Sequence, residues 1–105
     1  MIAYTSQLAH AVSSAYVMSP AAPGHQGFSA GSFRDMTRVA RLDADMWTEL
    51  FDLNHDALSD ELGALIARLT EMRRALDGGD LMRLRALLSE GNRRKLQLIE
   101  EEGRT

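Results

Sequence analysis

The chain has 105 residues, a net charge of −3 and no cysteine. That length fits one domain of modest core, with no room for a dinucleotide fold beside a substrate domain, and small cores are often completed by oligomerisation. The acidic balance offers no basic face to nucleic acid, the missing thiols exclude disulfides and thiolate metal sites, and no apolar run reaches the ~18 residues of a membrane span, so a cytoplasmic protein is expected.

Residues 1–33 contain no Asp, Glu, Lys or Arg, and all 27 charged residues follow from Arg34 onward. No basic residue therefore precedes an apolar stretch, as a secretory signal would require. From Ile2 to about Met18, Tyr4, Leu8, Ala11, Val12, Ala15 and Tyr16 recur at helical intervals. The opposite side, Ser6, His10, Ser13 and Val17, is uncharged as well. A helix without a charged face is expected to pack on most sides, which implies a partner surface.

Ser19-Pro20 and Pro23-Gly24 end this helix, and Gly24, Gly27 and Gly31 keep the next loop open. A short second helix is predicted from Ser29 or Ser32 to about Arg41. Asp43 suits the N-cap of a third, from Ala44 to about His55, with Met46, Trp47, Leu50 and Phe51 as its apolar face. Leu58, Leu62, Leu65, Leu69, Met72 and Leu76 then step by four and three, a seam too short for a free coiled coil but suited to a long bundle helix. Ser59 or Asp56 can cap it, unless it continues from the third. Asp77-Gly78-Gly79-Asp80 stops it, with Asp80 capping a last helix from Leu81 to about Glu101. No strand alternation occurs, so the fold class is an all-α helical bundle.

Few residues stand out chemically. Arg34, Arg38 and Arg41 fall on one face of the second helix, ordinarily a solvated face; an arginine there can also grip a carboxylate bidentately. Asp35 lies one turn before Arg38 and can fix its rotamer. His10 reads first as a packed histidine, Trp47 as core. His25 and His55 suit a loop and a solvated helix end, and the three histidines lack metal-ligand spacing, so no metal is expected. The Gly24, Gly27 and Gly31 spacing is no dinucleotide fingerprint, because no strand precedes it.

Two segments carry a family resemblance: TSQLAH, Thr5 to His10, and GSFRDMTRVARLDADMW, Gly31 to Trp47. They resemble the C-terminal helical domain of prephenate dehydrogenase, where S-H-L-P-H is followed by G-x-F-R/K-D-F-T-R-I-A and then M-W. The resemblance spans about Ala3 to Lys95. It departs at Gln7 and Ala9, which stand where the family has histidine and proline; losing the proline should let the helix run through.

The resemblance implies an intertwined homodimer whose intact enzyme uses NAD or NADP, bound by an N-terminal domain missing here. It further implies that Arg38 binds a carboxylate of prephenate, His10 its polar groups, and that Asp35 orients the site. Trp47 would line a pocket shared across the dimer, Gly31 would keep the helix start or ligand clear, and Ser6 would border the pocket. No catalytic residue is expected in this chain, and the fragment alone should be inactive. A free-standing dimerisation module binding tyrosine as an inhibitor, and an arogenate-specific relative, are the alternatives. Met1 leading straight into a helix favours truncation over the module.

Overall fold

Leu8–Val17 forms α1, and the backbone turns before it, Ala3–Gln7, are wound as a π-helix. The computed structural model describes residues 1–24 and 31–103. The helix does run through the position of Ala9, but its first turns are widened. Leu8 N–H reaches back five residues to the Ala3 carbonyl, which brings Ala3 and Leu8 onto one face. Both are buried, whereas Tyr4, which a regular 3.6-residue period pairs with Leu8, is 56% exposed. One residue's worth of extra turn has rotated the apolar stripe.

After α1 a 3₁₀ turn covers Ala22–Gly24, and α2 spans Gly31–Thr37. Tyr16 of α1 meets Phe33 of α2 with ring centroids 6.3 Å apart, a tilted aromatic contact joining the two helices. The helix stops four residues earlier than its sequence pattern suggests. Thr37 Oγ1 donates to the Phe33 carbonyl at 2.8 Å, and Ala40 N–H closes a tight turn onto Thr37. Such hydroxyl back-bonding competes with the helical ladder, and β-branched Val39 follows. The loop placement of His25, the open loop at Gly27 and a helix start at Ser29 concern residues outside those described.

The third helix, α3, is Ala44–Leu53. Asp43 caps it as its sequence predicts: Oδ1 accepts from Asp45 N–H at 3.1 Å and Met46 N–H at 3.2 Å. Asn54 then breaks the backbone for one residue before α4, His55–Asp77, so α3 and α4 are separate helices. Neither Ser59 nor Asp56 marks the start of α4; Leu58 N–H bonds the Asn54 carbonyl.

Two compact units divide the chain, Met1–Ala64 and Leu65–Thr105, with the boundary inside α4. In the first, Ala3, Leu8 and Leu58 are the buried apolar residues, with Gln7 and Ser13 as buried polar ones. In the second, α4 ends in a Schellman motif: Asp80 N–H bonds the Ala75 carbonyl at 2.8 Å, Gly79 N–H bonds that of Leu76, and Gly79 takes a φ of 68°. Asp80 Oδ1 accepts from Arg83 N–H and so caps α5, Leu81–Gly103. An ion pair of 3.1 Å between Arg83 and Glu71 spans this hairpin. Ala75 is its buried apolar residue, while Leu69, Leu76, Leu88, Leu96 and Ile99 are each at least half exposed. All described elements are helical, and the fold is all-α.

Candidate functional site

His10, on α1, and Trp47, on α3, lie 37 residues apart in sequence and come face to face: their rings stack with centroids 3.9 Å apart and 20° between planes. Phe51, one turn beyond Trp47 on α3, meets the indole edge-on at 6.0 Å. The order His10, Trp47, Phe51 therefore makes an aromatic tier along one helix–helix seam.

Below the histidine, Nδ1 lies 2.8 Å from the Ser6 carbonyl. A carbonyl only accepts, so Nδ1 carries the proton and donates. Nε2 is left as the working atom: an acceptor in neutral imidazole, a donor in imidazolium. His10 can therefore donate to a carboxylate only in its charged form. Ser6 contributes its backbone to this arrangement, a role its side-chain chemistry does not reveal.

Gln7, one turn before His10, is 5% exposed and both ends of its amide are satisfied. Nε2 donates to the Leu50 carbonyl at 3.0 Å, and Oε1 accepts from Asn54 Nδ2 at 2.8 Å. The sequence marked Gln7 only as a departure from a family pattern and gave no sign of Asn54. Gln7 sits beside Leu8 but off the predicted apolar stripe, and Asn54 lies beyond the predicted apolar face of α3, so neither carried a periodic signal and both were missed.

A small concavity of about 300 Å³ opens beside Trp47, lined by Ala11, Ser14, Ala15, Met18, Leu42, Ala44, Thr48 and Phe51 as well. A larger one of about 680 Å³ lies between α1 and the turn after α2, lined by Val17, Ala22, Pro23, Phe33, Thr37, Ala40 and Arg41. Both fall within the usual size range of small-molecule sites. Arg41 thus reaches a cavity wall, although the sequence singled out its neighbour.

Arg38 is exposed in the turn after α2, not on the helix. The expected single helical face of Arg34, Arg38 and Arg41 is therefore not formed, because the helix ends first. Asp35 is exposed too, and among the described residues no ion pair joins it to Arg38. Gly31 begins α2 in open space: a Cβ built there meets nothing within 4 Å, so the obstruction expected of a side chain does not arise among the described residues. His10 and Trp47 are brought together, whereas Arg38, Asp35 and Gly31 take no part in that cluster's contacts among the described residues. No group of three metal-ligating side chains occurs among the described residues, and none of their helices is long and apolar enough to cross a membrane. Nor do they include a strand–turn–helix unit of the kind that cradles a dinucleotide.

The model of the family described as prephenate dehydrogenase, dimerization domain, matches residues 1–90. The chain is 34% identical to cyclohexadienyl dehydrogenase of Zymomonas mobilis subsp. mobilis, over an alignment covering 76% of this chain and 29% of that protein. It thus spans under a third of the length of this curated relative. No solved structure matches it. With α1 to α4 and the aromatic tier inside the matched span, the chain belongs to the prephenate dehydrogenase dimerisation-domain family.

Proposed function

We propose that this chain is the dimerising, substrate-binding part of a prephenate dehydrogenase in tyrosine biosynthesis. In the intact protein NAD or NADP, held outside this chain, would supply the hydride acceptor for oxidation at the ring carbon bearing the hydroxyl of prephenate. Carbon dioxide leaves and the ring becomes aromatic as 4-hydroxyphenylpyruvate. This chain's part is positioning, which can supply a large share of a barrier reduction.

The observation that carries the reading is the His10–Trp47 stack. The indole fixes the imidazole plane, the Ser6 carbonyl fixes its tautomer, and Nε2 is left to meet a carboxylate or carbonyl of the substrate. Arg38, exposed and without an ion-pair partner among the described residues, is available to grip a carboxylate with its planar fork. Asp35 and Gly31 lie on α2 ahead of that turn, and Ser6 acts through its carbonyl. A second copy of the chain completes the assembly.

Titrating Trp47 fluorescence with prephenate on the dimer tests this. A saturable change is expected that weakens at least tenfold in Arg38→Ala. A well-folded dimer with no response to prephenate would reduce the chain to a scaffold.

A further inference from the structure

Gln7 and His10 sit three residues apart on one helix, and so do Trp47 and Leu50 on α3. They pair in opposite order: Gln7 with Leu50, His10 with Trp47. The two helical stretches therefore meet antiparallel through two rungs, one an amide hydrogen bond and one an aromatic stack. The rungs are about 4.5 Å apart along the axis at a rise of ~1.5 Å per residue.

The amide rung has a specific job at its α3 end. Asn54 N–H, which would continue the ladder to the Leu50 carbonyl, bonds Phe51 and Asp52 instead. The Leu50 carbonyl is one of the orphan acceptors at a helix end, and Gln7 Nε2 supplies the missing donor. Asn54, whose own carbonyl starts α4, donates its side-chain amide to Gln7 Oε1. Gln7 thus holds the last turn of α3 and the first bond of α4 at once. Sliding α3 by a single residue would move Trp47 by ~1.5 Å along the axis and ~100° around it, enough to destroy the stack. A two-point amide bond prevents both movements.

We infer that Gln7 is a positioning residue of this site: its buried amide sets the register of α3 so that Trp47 lies on the His10 ring. The chemistry is narrow. One atom must donate to a carbonyl while its neighbour accepts from an amide, and a neutral carboxamide does both at every ordinary pH. A carboxylate accepts but cannot donate, whereas a protonated carboxyl can do both.

The test reads cross-relaxation between the ring protons of His10 and Trp47 by NMR, with no substrate present. Gln7→Leu, which keeps the volume and removes both bonds, is expected to lose most of these cross-peaks while keeping its helix content. Asn54→Ala, which removes one bond, is expected to lose part of them. Gln7→Glu is expected to show them at pH 5, where a buried carboxyl holds its proton, and to lose them by pH 8, while the wild type keeps them throughout. A purely structural role would lower a denaturation midpoint without breaking the stack or making it pH-dependent. Full cross-peaks in Gln7→Leu, or a pH-indifferent Gln7→Glu, would overturn the inference. If Gln7→Leu does not fold, the other two variants still decide. The value of the stack to substrate rests on the function proposed above, but these readouts need no substrate, so either idea can fail alone.

Discussion

Single residues in this chain show how much depends on where a polar atom finds its partner. Gln7 is buried and fully satisfied; Ser13, also buried at 2% exposure, has an Oγ with no hydrogen-bond partner among the described residues. An unsatisfied buried hydroxyl costs about 1–3 kcal/mol, and removing it removes the penalty. Ser13→Ala is therefore expected to leave stability unchanged or raise it by about 1 kcal/mol, measured by urea denaturation. A loss of more than that would mean that Ser13 has a partner in the assembled protein. His10 makes the complementary point: its ring is fixed on two sides, by Trp47 and by the Ser6 carbonyl, so only Nε2 remains to act.

At the scale of elements, local sequence sets the helix ends well and the helix phase less well. Asp43 and Asp80 cap α3 and α5, and Gly79 closes α4 in a left-handed turn. On α5, Glu90 accepts from both Arg93 and Arg94, at 2.6 Å and 2.8 Å in its shortest contacts. Those two hydrogen bonds lower its carboxyl to about 2 from an ordinary 4.5. A depressed folded-state value means that the cluster's support is complete above about 4.5 and disappears as pH falls toward 2. The group is fully exposed, so salt should screen the effect. An NMR titration of the Glu90 carboxyl is expected to show the depressed midpoint at low salt and a partial return at 1 M salt.

For the whole molecule, the helices leave more apolar surface than the two units cover. Leu88 and Leu96 are each 57% exposed on α5, and Ile66 and Leu76 on α4 are about as open. Burying such side chains is worth about 1.5–3 kcal/mol each. In the proposed homodimer, Leu88→Glu with Leu96→Glu is expected to weaken association by at least a thousandfold, since ~1.4 kcal/mol is tenfold. Sedimentation equilibrium would then show a monomer whose circular dichroism is still helical. An unchanged dimer would place the interface elsewhere.

The all-α class, the order of the helices and most of their ends were legible in the sequence, because caps, glycines and prolines act on their immediate neighbours. Asp43, Gly79 and Asp80 need no distant partner to do what they do. The family was legible for a similar reason, since its motifs are short and contiguous. The site was legible only in part. His10 and Trp47 could each be singled out, but their stacking depends on how two helices register against each other. The π-wound turns of Ala3–Gln7 and the Gln7–Leu50–Asn54 bonds were decided by tertiary packing. Periodicity fixes which residues share a face, but a buried amide and a widened turn respond to the neighbouring helix, and only the folded chain brings that neighbour within hydrogen-bond range.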